Sequence, residues 1–144
     1  MKKTLTLLAL LLINMGAMAQ FEVKSKEKSS EHLTDNLVYS YKYNDYTLVF
    51  RTDNQFDDVM LINIGAKDDA IKAIDALMGI VNMKDEQKIE IDNGYGKTYK
   101  IYTSKSYTMM KGDYYAGWAY ITKKILTKAK EAIINKDISS GKPN

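Results

Sequence analysis

The feature that most restricts the fold of this 144-residue chain is its hydrophobic period, which changes from strand-like to helical twice. Strand-like runs cover residues 37–52 and 59–64, and apolar residues then recur at helical spacing over 67–83. Strand-like runs return between residues 88 and 111, and helical spacing follows over 115–135. Alternation is typical of half-buried strands, whereas a period near 3.6 is typical of amphipathic helices. We therefore predict an α+β domain with the element order β-β-β-α-β-β-β-α.

Most connections between successive strand runs are too short for parallel crossovers. We therefore expect one antiparallel sheet of about five to six strands, with two helices packed on one face. Asn44-Asp45 and Asn93-Gly94 are dipeptides typical of tight hairpin turns. The run 59–64 is apolar on both faces, which predicts a central position in the sheet.

Two segments have the spacing of amphipathic helices. Residues 67–83 place their apolar side chains on one face, and Gly79 within this run costs about 1 kcal/mol relative to alanine. The second helix, over 115–135, is predicted from the spacing of Trp118, Ile121, Ile125, Ala129 and Ile133. Lysines cover its other side, a combination also found in helices that lie on anionic membranes. Because the sheet needs helices to cover it, we expect this helix to pack on the core instead.

The first nineteen residues have the three parts of a secretory signal peptide. Lys2 and Lys3 are positive, residues 5–13 are almost wholly apolar, and Ala17-Met18-Ala19 provides small residues at a cleavage site. The apolar run is about half the length that a spanning helix needs, so we expect cleavage before Gln20 and not a retained anchor. The segment and the Lys/Asn/Ile/Tyr-rich composition are typical of exported proteins of Gram-negative bacteria. They predict the periplasm, with release from the cell as the alternative.

Composition also predicts the boundaries of the folded part. Residues 20–36 are polar and charged without a clear period, which indicates a flexible lead-in. Residues 37–136 form the predicted single α+β domain, and residues 137–144, with the only proline, form a disordered tail. The domain is large enough to hold a core, and without cysteine its stability must come from packing.

Charge and residue inventory exclude several classes of function. The formal charge of +3 falls to about +1 when Lys2 and Lys3 are removed, so we expect no nucleic-acid partner. The absence of cysteine excludes thiol catalysis and cysteine-ligated zinc. His32 is the sole histidine and lies in the polar lead-in, where a catalytic triad or a histidine metal site is not expected. We predict neither a metal site nor a cofactor.

Acidic residues occur in three adjacent pairs, Asp57-Asp58, Asp68-Asp69 and Asp85-Glu86. Two carboxylates can act as acid and base if the fold brings them together across a cleft. Each pair lies in a loop or at a helix start, where acidic residues are common. A small carboxylate-dependent hydrolase acting on cell-wall or other glycans therefore stays an alternative function, without an assigned catalytic residue.

Tyrosine is the most unusual feature of the composition, with 11 tyrosines against 3 phenylalanines and 1 tryptophan. Six aromatic residues are the candidate binding residues: Tyr39, Tyr41 and Tyr43 on one predicted strand face, and Tyr114, Tyr115 and Trp118 at the start of the last helix. Tyrosine joins an apolar ring to a hydroxyl, which suits surfaces that contact sugars or proteins. It is also a good strand former that can border a core, so both interpretations stay open.

These observations lead to a non-catalytic binding or interaction module of the bacterial envelope as the first hypothesis. Its partner would be a protein or a glycan. The glycan hydrolase is the second hypothesis. Peripheral membrane association through the basic C-terminal helix is the third hypothesis. It ranks last, because we expect the mature protein not to associate with the membrane after the signal peptide is removed.

Overall fold

The computed structural model describes residues 28–54 and 58–136. The predicted signal peptide (1–19) and disordered tail (137–144) lie outside the described residues, as do residues 20–27 of the predicted lead-in. The described chain forms two four-stranded antiparallel sheets and two helices. The predicted α+β class and antiparallel pairing are confirmed.

The two halves of the fold repeat one order of elements. The first sheet contains β1 (Ser30–Thr34), β2 (Leu37–Ser40), β3 (Asp45–Arg51) and β4 (Val59–Gly65), paired in that order. Helix α1 (Lys67–Val81) follows. The second sheet contains β5 (Gln87–Asp92), β6 (Thr98–Thr103), β7 (Thr108–Gly112) and β8 (Ala119–Ile121), again paired in chain order. Helix α2 (Lys123–Asn135) completes the second half.

The prediction of a single sheet is wrong, because β1–β4 and β5–β8 pair only within their own groups. Each half also has one strand more than the sequence pattern indicated. In the first half, residues 30–34 form β1, although they were predicted to belong to the flexible lead-in. β1 is a short edge strand in which Glu31 pairs with Tyr39 and Leu33 packs against the core. Its other side chains are polar, so it shows no alternation of apolar residues that could reveal it.

In the second half, the predicted helix start near residue 115 is wrong. Ala119 and Ile121 point into the core from strand β8, and Tyr120 between them is exposed. The Thr122 hydroxyl accepts a hydrogen bond from the Ile125 amide at 3.3 Å, so this residue caps a helix that begins at Lys123. Ile121 matches the spacing of Ile125 and Ile133 because strand β8 buries it four residues before Ile125, whereas Trp118 precedes β8 and is half-buried.

One hydrophobic core joins both sheets and both helices. Its largest fully buried side chains include Tyr46, Phe50 and Leu48 from the first sheet and Tyr99, Ile101 and Met110 from the second. The two helices pack against each other, α1 against β3 and β4, and α2 against β1, while β3 also contacts β8. The helices therefore cover the first sheet, and the inner face of the second sheet closes the core.

Strand β4 lies at an edge of the first sheet, so the predicted central position of residues 59–64 is wrong. Met60, Ile62 and Ile64 are buried, but the side chain of Leu61 is 47% exposed on the other face. Apolar residues on both faces of this strand therefore do not mean that both faces are buried.

The two predicted turns differ in outcome. Asn44 closes the β2–β3 turn with a left-handed φ of 53°, and its side chain accepts a hydrogen bond from the Tyr39 hydroxyl at 2.6 Å. The β5–β6 connection is not a two-residue turn, because β5 ends at Asp92 and β6 begins at Thr98. Gly94 and Gly96 both have positive φ there, and the longer loop is held by its own side chains.

Candidate functional site

The first three candidate binding residues do not share a strand face, because β2 ends at Ser40. Tyr39 is buried in the core, Tyr41 is half-buried, and Tyr43 is 69% exposed in the following turn. The ammonium of Lys42 lies 5.0 Å from the centre of the Tyr43 ring. Only Tyr43 of these three offers a freely accessible ring.

Tyr39 and Tyr41 belong instead to a cluster that we call the terminal clasp, together with Glu31 and Lys136. The Lys136 ammonium lies 4.5 Å from the centre of the Tyr39 ring and 5.2 Å from that of Tyr41. It donates to Glu31 Oε2 at 2.9 Å, and the Tyr41 hydroxyl donates to the same oxygen at 2.5 Å. Lys28 forms an ion pair with Oε1 of Glu31 at 3.2 Å.

The electrostatics of the terminal clasp favour the charged forms of both partners. The Tyr41 hydroxyl, followed by Lys136 and Lys28, lowers the pKa of Glu31 to about 2. Burial acts to lower the pKa of Lys136, but the hydrogen bond and charge of Glu31 outweigh it and leave the pKa raised. A carboxylate held ionised in this way cannot act as a general acid. The clasp is therefore suited to holding β1 against the end of α2, and its aromatic rings are already occupied by a cation.

The other three candidate residues also lie apart. Tyr114 is 84% exposed in the β7–β8 connection, and Tyr115 is half-buried against the core. Trp118 precedes β8, where its backbone amide donates to Asp53 Oδ1 at 2.7 Å and its carbonyl accepts from the Asp53 amide at 2.8 Å. These two bonds fix Trp118 against the β3–β4 connection, and its side chain borders the second sheet.

Tyr115 has a structural partner at the edge of the first sheet. Its hydroxyl accepts a hydrogen bond from the Leu61 amide at 3.1 Å, and the Tyr99 hydroxyl donates to the Leu61 carbonyl at 3.2 Å. The side-chain amide of Asn93 donates to the backbone carbonyl of Asn63 at 3.5 Å. Side chains of the second half thus bond to backbone groups that an edge strand would otherwise leave open to another strand. Burial, followed by the nearby Tyr115, raises the pKa of Tyr99 to about 12.

A group of four aromatic side chains and one methionine lies on the outer face of the second sheet. We call it the aromatic face, and it consists of Tyr102, Tyr107, Met109, Trp118 and Tyr120. Strand pairing places Tyr102 beside Met109 and Met109 beside Tyr120. The ring centre of Tyr107 lies 6.3 Å from that of Tyr102 and 6.2 Å from that of Tyr120.

The surroundings of the aromatic face are charged. Lys88 and Glu90 of β5 and Lys100 of β6 line a groove of about 420 Å³ together with Tyr102, Met109 and Trp118. The carboxylate of Glu86 and then burial raise the pKa of Tyr102. The face therefore combines apolar rings with ionic groups at its border, as contact surfaces do.

Only Trp118 of this face was among the residues predicted from the sequence. Tyr102 and Met109 alternate with buried Ile101 and Met110. The alternation along β6 and β7 therefore indicates that Tyr102 and Met109 point outward. Tyr107 lies in the turn between these strands. Its proximity to Tyr102 and Tyr120 depends on strand register, which a single sequence does not show.

Two further cavities open at the ends of the helices. One, of about 550 Å³, lies between the end of α1, the β6–β7 turn and the start of α2; we call it the lysine cleft. The other, of about 610 Å³, lies between the β1–β2 turn and α2. Its lining includes two acids, Asp35 and Glu131, and two lysines, Lys124 and Lys128.

The acidic pairs singled out from the sequence do not converge. Asp68 and Asp69 lie in the first turn of α1, and Asp85 and Glu86 lie between α1 and β5. Asp58 accepts a hydrogen bond from the Asn54 side chain at 2.7 Å, and Asp57 lies outside the described residues. The described part of the chain contains no cluster of acidic or histidine side chains arranged to hold a metal ion. Within that part, no helix has the length and hydrophobicity needed to cross a membrane.

Comparison with known proteins adds no relative: no family model, curated protein or solved structure matches this chain. The functional argument therefore rests on the residues of this fold.

Proposed function

We propose that this protein is a non-catalytic binding module of the bacterial envelope and that the aromatic face is its contact surface. The observation that carries the proposal is the chain of rings formed by Tyr102, Tyr107 and Tyr120 on a sheet face that remains open in the described structure. The inner face of the same sheet is filled by core residues, so these outer rings are not needed to close the core. An accessible cluster of apolar rings is typical of an interaction site.

The rigidity of this surface supports the same proposal. Tyr102, Met109 and Tyr120 lie on paired strands, and two hydrogen bonds to Asp53 hold the backbone of Trp118. The backbone that carries these side chains is therefore fixed before a partner arrives, which lowers the conformational entropy that binding costs. Tyrosine and tryptophan contribute a large contact area through few rotatable bonds, which suits them to this role.

The test compares two double variants of the purified protein, each lacking two exposed tyrosine rings. Tyr107→Ser/Tyr120→Ser removes rings from the aromatic face, and Tyr43→Ser/Tyr114→Ser removes two exposed rings elsewhere. Binding to purified envelope glycans and envelope proteins is measured by surface plasmon resonance, after circular dichroism has established that both variants fold. We expect the first variant to lose the ligand that the unmodified protein binds and the second to retain it. Equal binding by both variants would contradict the proposal.

The glycan hydrolase has one observation in its favour, the cavity between the β1–β2 turn and α2. Asp35 and Glu131 line it together, as a pair of catalytic carboxylates would. The measurement is release of reducing ends from purified cell-wall glycan by the unmodified protein and by Asp35→Asn and Glu131→Gln. Activity that disappears in both variants would establish this second function. For the membrane hypothesis, Leu126 and Ile133 of α2 are buried in the core, whereas Ile134 is 51% exposed.

A further inference from the structure

The lysine cleft lies beside the aromatic face and shares Tyr107 and Tyr120 with it. Three lysines from three different parts of the fold line the cleft: Lys84 after α1, Lys105 in the β6–β7 turn and Lys123 at the start of α2. No acidic side chain lines it. Among the described residues, none of these three lysines forms an ion pair. The cleft therefore gathers unneutralised positive charge in a protein whose predicted mature charge is close to zero.

The remaining lining of the cleft is rich in hydroxyl groups. Besides the two tyrosines, four hydroxyl-bearing residues contribute to it: Ser104, Ser106, Thr108 and Thr122. The Ser104 hydroxyl already bonds to backbone groups of its own turn, the Thr122 hydroxyl caps α2, and Thr108 is buried. The exposed residues that are left to offer a hydroxyl are therefore Ser106, Tyr107 and Tyr120. A hydroxyl group both donates and accepts hydrogen bonds, whereas a lysine ammonium only donates. The side-chain lining thus matches a ligand that carries hydroxyl groups and negative charge together.

The first turn of α2, which contributes Lys123 to the cleft, adds to the positive charge there. This turn contains no acidic residue, and the helix begins with Lys123 and Lys124. The start of a helix carries partial positive charge, so lysines there repel it and acidic residues would be favourable. An anion bound in the cleft would relieve that repulsion through Lys123.

We propose that the ligand of this module is an anionic saccharide, whose acidic groups bind in the lysine cleft while an adjoining sugar ring packs on Tyr107 and Tyr120. The inference rests on the proposed function, because it uses the border of the aromatic face. It deepens that function by naming the chemistry of the ligand: sugar rings bearing carboxylate, sulfate or phosphate groups. The lysines supply attraction and the rings supply an apolar platform.

Two features favour a saccharide over an acidic polypeptide. The exposed residues Ser106, Tyr107 and Tyr120 offer hydroxyl partners for sugar hydroxyls. The rings of Tyr107 and Tyr120, nearly perpendicular at 80°, form a corner and not a strip. A polypeptide added as an extended strand gains most from pairing its backbone with a strand edge. The lysines of the cleft lie in a turn and at helix ends and not on a strand, although Tyr120 and Ile121 of the edge strand β8 also line the cleft. A polyglutamate probe therefore tests the polypeptide alternative directly.

The experiment measures binding of defined probes to the purified protein by isothermal titration calorimetry at low and high salt. The probes are oligogalacturonate, which carries carboxylates, and a heparin-derived hexasaccharide, which carries sulfates. Maltohexaose serves as the neutral saccharide, and polyglutamate of matched charge serves as the charged polymer without sugar rings. The variant Lys105→Gln/Lys123→Gln removes two charges from the cleft. Its matched control, Lys72→Gln/Lys97→Gln, removes two charges from exposed lysines outside the cleft.

We expect an acidic saccharide to bind, and its affinity to fall about tenfold or more in the cleft variant, since charge-assisted hydrogen bonds are lost. The control variant should bind within about twofold of the unmodified protein, because screened charges elsewhere contribute little. Failure of both acidic saccharides to bind, or an equal loss in the two lysine variants, would overturn the inference. Polyglutamate binding of equal strength with the same dependence on the cleft lysines would overturn it as well.

The tyrosine variants distinguish failure of this inference from failure of the proposed function. If ligand binding is lost in Tyr107→Ser/Tyr120→Ser but is unaffected in the cleft variant, the aromatic face is the contact surface and the cleft is not an anion site. Saccharide binding that needs the cleft lysines but not these tyrosines would keep the anion site and contradict the aromatic face.

Discussion

Lys136 donates a hydrogen bond to Glu31 at 2.9 Å and so joins the end of α2 to strand β1 across 105 residues of sequence. The side chain of Lys136 is only 10% exposed, and that of Glu31 is 31% exposed. Because both charges are partly withdrawn from water, their attraction is screened less than that of a surface ion pair. This pair makes the terminal clasp a contributor to the stability of the fold.

The first prediction concerns the pH dependence of that stability. The pKa of Glu31 is lowered from 4.5 to about 2, first by the Tyr41 hydroxyl and then by Lys136. Because the native pKa lies below the unfolded one, the stabilisation is present above about pH 4.5 and is lost as the pH falls towards 2. After allowance for partial exposure, we expect Glu31→Gln to cost about 1 kcal/mol of unfolding free energy at pH 7.

The measurement is urea unfolding followed by tryptophan fluorescence between pH 7 and pH 2.5. The difference in unfolding free energy between the unmodified protein and Glu31→Gln should shrink as the pH falls. A difference that stays constant over this range would mean that Glu31 is not titrating under the influence of the clasp.

The second prediction compares two lysines of the C-terminal segment. Lys136→Met keeps the aliphatic stem but removes the ammonium that donates to Glu31. It should lower the unfolding free energy by about 1–2 kcal/mol. Lys130→Met removes an exposed pair with Asp75, at 2.6 Å, and should cost less than about 0.5 kcal/mol. Thermal unfolding of the two variants provides the comparison. Equal melting temperatures would show that burial of the clasp adds nothing to its strength.

The third prediction concerns the protected edge of β4. Tyr115→Phe removes the hydroxyl that accepts from the Leu61 amide, and should lower the unfolding free energy by about 1 kcal/mol. It should also raise self-association, since the edge regains an open backbone donor. Tyr114→Phe changes the neighbouring residue, which is highly exposed, and is the matched control. Sedimentation velocity measures association; a monomer at every concentration for both variants would contradict the protective role.

The fourth prediction uses two glycines with opposite surroundings. A Cβ at Gly79 would meet no atom within 4 Å, so Gly79→Ala should stabilise α1 by about 1 kcal/mol through helix propensity. A Cβ at Gly117 would lie 2.8 Å from Thr52 Cβ and 2.9 Å from the Asn54 amide nitrogen. Gly117→Ala should therefore destabilise by about 1–3 kcal/mol, because backbone must shift. Urea unfolding of both variants measures these signs, and stabilisation at Gly117 would refute the close contact.

The sequence predicted those parts of the fold in which local pattern and tertiary environment agree. Helix α1 is an example, since its apolar spacing and acidic first turn were visible without any partner. Strand β1 was missed because its stability comes from pairing with β2 and from α2, and its own residues are polar. Strand β8 was missed because three residues are too few to establish a period.

The candidate site was predicted less well, because the role of a tyrosine depends on its neighbours. Tyr39 and Tyr43 are four residues apart, yet one is in the core and the other in solvent. Tyr102 and Tyr120 become neighbours of Tyr107 through the β6–β7 turn and the pairing of β7 with β8, which tyrosine content alone does not reveal. The composition shows the excess of tyrosine, but not which tyrosines are exposed.

The terminal clasp also has a consequence for how the chain can be rewired. The side chains of Lys28 and Lys136 both contact Glu31, so the segment before β1 lies beside the end of α2. A short glycine-serine linker can therefore connect them, and new termini can be opened in the 93–97 loop without breaking either helix. In a circular permutant of this kind, the strands would keep their pairing in space but would be synthesised in a different order.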